Sequence, residues 1–160
     1  MPGLHTIDAL PPLLARPLRY LPFPAQRAPL ELALEQLFLA RVAAGDLAFL
    51  DGRCLAIEIE DLGWRWPIGL HAGRLRVLGQ SHPADVTIRG RAPAFVLMAG
   101  KLEDPDTLFF QRRLVIEGDT ELGLGVKNFL DGLDEEQLPL AARLALRAVR
   151  DLDRTLRKFS

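Results

Sequence analysis

Apolar positions change their spacing twice along this chain, and the changes mark out its elements. Leu30, Leu34, Leu37, Phe38 and Val42 recur at three- and four-residue intervals, with Glu31, Glu35 and Arg41 on the other side. This spacing predicts an amphipathic helix, opened by Pro29 in its first turn and closed by Gly45. Over residues 47–91 the period becomes two. Leu55, Ile57 and Ile59 alternate with Ala56, Glu58 and Glu60, and Trp64, Trp66 and Ile68 continue after Asp61-Leu62-Gly63. Beyond Ala72-Gly73, Leu75 and Val77 alternate with Arg74 and Arg76, and in residues 85–91 Val86 and Ile88 point inward. Four strands joined by short turns predict an antiparallel meander.

The helical spacing then returns. Pro93 opens a helix carrying Phe95, Val96, Leu97 and Met98, which ends at Gly100. Asp104-Pro105-Asp106 combines a capping carboxylate, a proline at the first helical position and acid in the first turn; Leu108, Phe109 and Phe110 follow. Residues 114–117 form a brief fifth strand. After Gly118-Asp119 a helix places Leu122, Val126, Phe129, Leu130 and Leu133 on one face, and a last helix covers about residues 140–159. The order describes an α+β domain: a single, mostly antiparallel five-stranded sheet with helices over one face. Three regions are expected: a proline-rich apolar arm (1–28), the domain (29–134) and a basic amphipathic C-terminal helix (135–160).

The arm has prolines at 2, 11, 12, 17, 22 and 24, which forbid a long regular helix and leave room for a short one around residues 13–20. Its Leu18, Tyr20, Leu21 and Phe23 are too apolar for an ordinary flexible tail. Two readings stand side by side: the arm packs on the domain, or it anchors at a membrane with Arg16 and Arg19 at headgroup level. In the last helix, Leu140, Leu144, Ala148, Leu152, Leu156 and Phe159 make an apolar stripe. Arg143, Arg147, Arg150, Arg154, Arg157 and Lys158 mostly flank it. That helix packs on the domain, lies on anionic lipid, or mediates homo-oligomerisation.

Charge sharpens this picture. The net charge of −1 divides into basic ends and an acidic middle, a poor nucleic-acid surface but a plausible way to meet anionic lipid. With 160 residues, 49% of them hydrophobic, the chain can bury one continuous core. A single cysteine, Cys54, excludes an intramolecular disulfide and suits a reducing cytosol. The N-terminus has no signal-peptide pattern and no apolar run is long enough to span a bilayer, so a cytoplasmic protein, peripheral at most on the inner membrane, is expected.

Catalytic chemistry is thin. The serines are Ser81 and Ser160, the histidines 5, 71 and 82 are scattered, and no pair has a metal-binding spacing. No catalytic residue, metal or cofactor is expected, and the chain does not read as an enzyme; Asp119 and Asn128 would be the first candidates if it were one. Cys54 reads as a small buried hydrophobe. Gly123 and Gly125 lie inside a predicted helix, where small residues admit close approach by either another helix or a ligand. What the sequence has in excess is apolar helix surface. Phe95, Met98, Phe109, Phe110, Leu122, Val126 and Phe129 either form ordinary core or line an adaptable pocket.

Residues 109–128 read Phe-Phe-Gln-Arg-Arg-Leu-Val-Ile-Glu-Gly-Asp-Thr-Glu-Leu-Gly-Leu-Gly-Val-Lys-Asn. This segment resembles the signature of the UbiT family, ubiquinone-biosynthesis accessory factors with a sterol carrier protein 2-type (SCP2) lipid-binding domain. The Leu-x-Ile-x-Gly-Asp strand leading into an apolar helix is the general mark of the domain class; the flanking Phe-Phe-Gln-Arg-Arg and Gly-Leu-Gly-Val-Lys-Asn are the narrower mark. The domain resemblance covers about residues 30–133 and is sharp only at 105–130. It implies helices and sheet enclosing an apolar lipid tunnel, and a role in oxygen-independent ubiquinone biosynthesis beside UbiU and UbiV. It implies binding of isoprenoid quinone intermediates or phospholipids without chemistry on them. A scaffold that carries no lipid and organises a multiprotein complex is the alternative.

Overall fold

The computed structural model describes residues 12–133, the first four in backbone only, and residues 143, 144, 147, 148, 150, 151, 154, 155 and 158, which are helical. The start of the arm, Leu140, Leu152, Leu156 and Phe159 of the expected terminal stripe, and Arg157 of its basic flank lie outside the described residues. The elements are α1 (Pro12–Arg19), α2 (Phe23–Ala43), a 3-10 turn (Ala48–Leu50), β1 (Cys54–Ile59), β2 (Trp64–His71), β3 (Arg74–Val77), β4 (Val86–Gly90), α3 (Ala92–Ala99), α4 (Pro105–Phe110), β5 (Leu114–Gly118) and α5 (Thr120–Asp131).

The five strands form one sheet in the order β3-β2-β1-β4-β5. Only β1–β3 form a meander. The predicted fourth meander strand, β4, lies instead on the far side of β1 and runs parallel to it, with Leu55 opposite Val86 and Ile57 opposite Ile88. Two local features explain the switch. Helix α2 guards the free edge of β3, where Glu31 Oε1 accepts from the Val77 amide at 3.0 Å. Asp85 then pins the start of β4 beside β1: its Oδ2 accepts from the Cys54 amide at 2.8 Å, and its own amide donates to the Cys54 carbonyl at 2.9 Å. The connection between β3 and β4 crosses the sheet face opposite the helices. Leu78 covers Gly69 there, and Arg65 donates to the Gln80 carbonyl at 2.5 Å.

That opposite face is a ladder of charge. Arg65, Glu58 and Arg89 lie side by side on β2, β1 and β4, and Glu117 of β5, opposite Thr87, reaches Arg89 diagonally, with Arg65–Glu58 at 3.5 Å, Arg89–Glu58 at 2.8 Å and Arg89–Glu117 at 3.1 Å. The other face carries Leu70, Ile68, Leu55, Val86, Ile88 and Leu114, and packs against Leu34, Phe38 and Val42 of α2 and against α3, α4 and α5. The helix-covered face is apolar throughout, while the opposite face is charged at one end and buried at the other, where Cys54, Ala56 and Pro67 share the side of the sheet that Leu78 covers.

Helix α2 begins at Phe23, six residues before the predicted start. Pro24 takes the first-turn position assigned to Pro29, and Pro29 lies inside the helix. The hydrogen bond that Pro29 removes would have gone to Ala25, which is exposed, so the proline falls where the helix borders solvent. Glu35 is exposed as the pattern predicts, whereas Glu31 and Arg41 are half-buried. Glu31, Glu35 and Arg41 bond to Val77, Arg74 and Gly132 respectively, and Leu32 and Leu39 are also exposed, at 56% and 62%. Gly45 closes the helix as expected: it is left-handed (φ 82°), its amide donates to the Val42 carbonyl, and the Asp46 amide donates to the Arg41 carbonyl at 3.0 Å.

Candidate functional site

Three short helices and β5 gather most of the residues that the sequence marks for a pocket. Val126 and Leu122 on α5 are fully buried, and Phe95, Met98, Phe109 and Phe129 are half-buried against the same cluster. Phe129 meets Phe38 of α2 edge-on at 5.5 Å between ring centres, and the Arg41 guanidinium lies over the Phe129 ring, 5.9 Å from its centre. Lys127 lies 5.7 Å from the Phe109 ring centre and pairs with Asp106 at 3.0 Å. Phe110 is separated from this set. It is 90% exposed, because α4 turns Leu108 to the interior and a residue two positions later lies about 200° further round.

The two glycines of α5 admit protein side chains. A Cβ on Gly123 would stand 3.0 Å from Ile116 Cγ2, and one on Gly125 would stand 3.1 Å from Phe49 Cδ2. Phe49 and the α2 residues Leu34, Phe38 and Val42 complete the wall of the cluster. Their spacing was visible in the sequence; nothing local said that they meet α5.

Asp119 caps α5. Its Oδ1 accepts from the Leu122 amide at 2.8 Å and its Oδ2 pairs with Arg53 at 3.0 Å; these two contacts, the first the larger, hold its carboxyl below the usual range. Asp104 occupies the capping position of α4 without making the side-chain bond expected of it. Cys54 is buried, and desolvation, partly countered by Arg65, raises its thiol pKa. His71 and His82 are exposed in loops or at strand ends, and no group of metal-ligating side chains occurs among the described residues.

The described part of the front arm packs on the domain. Trp64 Nε1 donates to the Leu18 carbonyl at 2.9 Å and Arg19 Nε to the Asp61 carbonyl at 2.7 Å. Gln26 is buried, bonding the Leu21 carbonyl and receiving Trp66 Nε1 at 2.9 Å. Leu18 packs against Ile59 and Leu62, Phe23 is half-buried, Leu21 is partly exposed and Tyr20 is 86% exposed. Of the terminal arginines, Arg147 and Arg154 are exposed, and Arg150 donates to the Gly100 carbonyl at 2.8 Å. No helix among the described residues is long and apolar enough to cross a membrane.

A groove of about 410 Å³ opens where β4 ends and α3 begins. Arg89, Arg91, Arg112 and Arg113 line it with Glu60. No periodicity or spacing in the sequence marks this groove, although Arg112 and Arg113 lie within residues 109–128.

A five-stranded mixed sheet with its helices on one face and a glycine-aspartate turn into α5 is the architecture of small lipid-transfer domains. The chain belongs to the SCP-2 sterol transfer family, which matches residues 31–131. Within it, the chain is a homologue of the ubiquinone biosynthesis accessory factor UbiT of Escherichia coli K12, with 44% identity over 88% of this chain and 80% of the relative. UbiT of Escherichia coli O157:H7 matches equally. Among solved structures, the UbiJ-SCP2 ubiquinone synthesis protein shares the fold, with a TM-score of 0.56, 20% identity, and coverage of 69% of this chain and 93% of that one.

Proposed function

We propose that this protein is a non-enzymatic, lipid-binding accessory factor of ubiquinone biosynthesis. It binds or presents polyprenylated quinone intermediates or phospholipid at a membrane surface, in the oxygen-independent route beside UbiU and UbiV. The relationship to UbiT over 88% of the chain carries this reading. The apolar tail sits between the sheet and α3, α4 and α5, against Phe95, Met98, Phe109, Leu122, Val126 and Phe129, with Phe110 at the outer rim. The four half-buried members swing aside to admit it, and the unbranched Met98 is the most adaptable of them. Each methylene removed from water contributes about 0.8 kcal/mol whatever the headgroup, so selectivity among tails is loose. Tyr20, Leu21 and Phe23 meet the membrane together with Arg147, Arg150 and Arg154, while Leu18 ties the arm to the domain.

Native mass spectrometry of the purified protein, followed by organic extraction and lipid identification, tests the proposal. Near-stoichiometric quinone intermediate or phospholipid is expected; an empty protein that also takes up nothing from vesicles would refute it. A second reading, a scaffold that carries no lipid and organises a biosynthetic complex, is favoured by the close contacts of Gly123 with Ile116 and of Gly125 with Phe49. On that reading, substitutions at exposed positions such as Leu32 and Leu39 impair function more than those around Val126.

A further inference from the structure

We propose that the outward face of α2 pairs with the same face of a second copy of this chain, as a short parallel coiled coil. Helix α2 is apolar on both sides. Leu34, Phe38 and Val42 pack against the core, while Ala25, Pro29, Leu32, Gln36, Leu39 and Ala43 are all exposed and uncharged. A helix that is apolar all round is one that is covered all round. The exposed six are separated by four, three, four, three and four residues, the seam spacing of a coiled coil, and both leucines fall at its d position. Gln36 falls at the a position between them. It makes no side-chain hydrogen bond among the described residues, and a single polar side chain in such a seam fixes the register by meeting its own copy. Ala33 and Ala40 beside the seam are exposed too, and side chains this small let two helix axes approach to about 8 Å.

Charge decides the occupant. The seam carries no acidic or basic residue, and Glu35 at its border is paired with Arg74 at 3.8 Å. The basic terminal helix therefore finds no free carboxylate there, and its Arg150 instead meets the Gly100 carbonyl at the end of α3. An anionic membrane needs basic residues beside the apolar face, and the nearby Arg27 lies 4.0 Å from Glu31. The uncharged seam does match itself: in a parallel pair each leucine meets its copy and the Gln36 amide meets its own. Charge sets the direction as well. Parallel helices place Glu35 beside Ala40 of the second copy, whereas antiparallel ones bring Glu35 towards Glu35. The six positions span about 27 Å of helix, a smaller contact than the roughly 20–30 residues a side of a standard interface, so the affinity is micromolar at best. The seam lies on the side of α2 away from the apolar cluster, so this proposal stands apart from the lipid reading.

Sedimentation velocity of the full chain at micromolar to millimolar concentrations tests this, and a concentration-dependent monomer–dimer equilibrium is expected. Leu32→Glu and Leu39→Glu each set two carboxylates face to face and should weaken the dimer at least about a hundredfold. Both leucines are more than half exposed, so the urea midpoint of the dilute variants should match that of the parent. Gln36→Leu removes a buried amide from the seam and should tighten the dimer about tenfold or more. Gln36→Cys should cross-link to its own copy on oxidation, while the parent, whose one cysteine, Cys54, is buried, should not. The proposal is overturned if the parent stays monomeric throughout, or if both glutamate variants dimerise as the parent does. It is also overturned if Leu144→Glu, on the terminal helix, abolishes the dimer, or if Gln36→Cys dimerises without cross-linking.

Discussion

Replacing Phe109 by aspartate separates loss of lipid from loss of fold. Burial of a whole phenylalanine side chain contributes about 1.5–3 kcal/mol, and Phe109 is half-buried, so its removal costs about 1–1.5 kcal/mol. The contact with Lys127 at 5.7 Å is worth about 0.5–1 kcal/mol more, and a new aspartate–Lys127 pair returns up to about 1 kcal/mol. The net loss of about 1–2 kcal/mol lies well inside the roughly 5–15 kcal/mol of an ordinary domain. A carboxylate facing an apolar tail is a different matter. Its desolvation amounts to several kcal/mol, at least about a hundredfold in affinity. Val126→Asp cannot make this distinction, because Val126 is 3% exposed and the same desolvation would fall on the fold itself. Urea unfolding should show a lower midpoint with an unchanged slope for Phe109→Asp, and native mass spectrometry should show the lipid gone. A folded Phe109→Asp protein with its full lipid content would refute the pocket assignment; outright unfolding would refute the energetic argument.

Other substitutions probe the frame around the site. Gly118→Ala should destabilise by about 3 kcal/mol or more in chemical denaturation, since φ is 111° there and a Cβ would collide with the Asp85 carbonyl oxygen. Asp119 has a lowered pKa, so its contribution is present above the ordinary carboxylate value of 3.8 and is lost as pH falls through the folded value; Asp119→Asn should flatten the acid limb of a stability–pH curve. The thiol of Cys54 is raised above 9.0, so stability is intact below that pH and declines as pH rises through the folded value. A disulfide reagent at neutral pH should label it only after unfolding, and Cys54→Ala should remove the alkaline decline. Trp64→Phe deletes the bond to the Leu18 carbonyl, about 1 kcal/mol, and should speed proteolysis between α1 and α2.

Local pattern was enough for most elements because each carries its own signal. The alternation in β1 to β4, the Asp104-Pro105 start of α4 and the Gly118-Asp119 turn are short-range facts, and they recur in the structure within a residue or two. The apolar spacing of α5 likewise named Leu122 and Val126 correctly as inward residues, and the quoted segment was specific enough to reveal the family. Position along the chain could not tell which edge of β1 receives β4, since a strand with Val86 and Ile88 on one face satisfies either neighbour. The Asp85 clamp and the covering of β3 by α2 decide it. Proline counting misplaced the start of α2 for a related reason: whether an interior proline is tolerated depends on whether the carbonyl it orphans faces water. Phe110 and the arginine groove escaped for want of three dimensions. A six-residue helix is too short to show its buried face by periodicity, and Arg91 is brought beside Arg112 only by the pairing of β4 with β5. Hydrophobic spacing thus determined which segments are helix or strand, because backbone hydrogen bonding and burial act locally. Long-range packing alone decided strand order, the wall of the core and where positive charge converges.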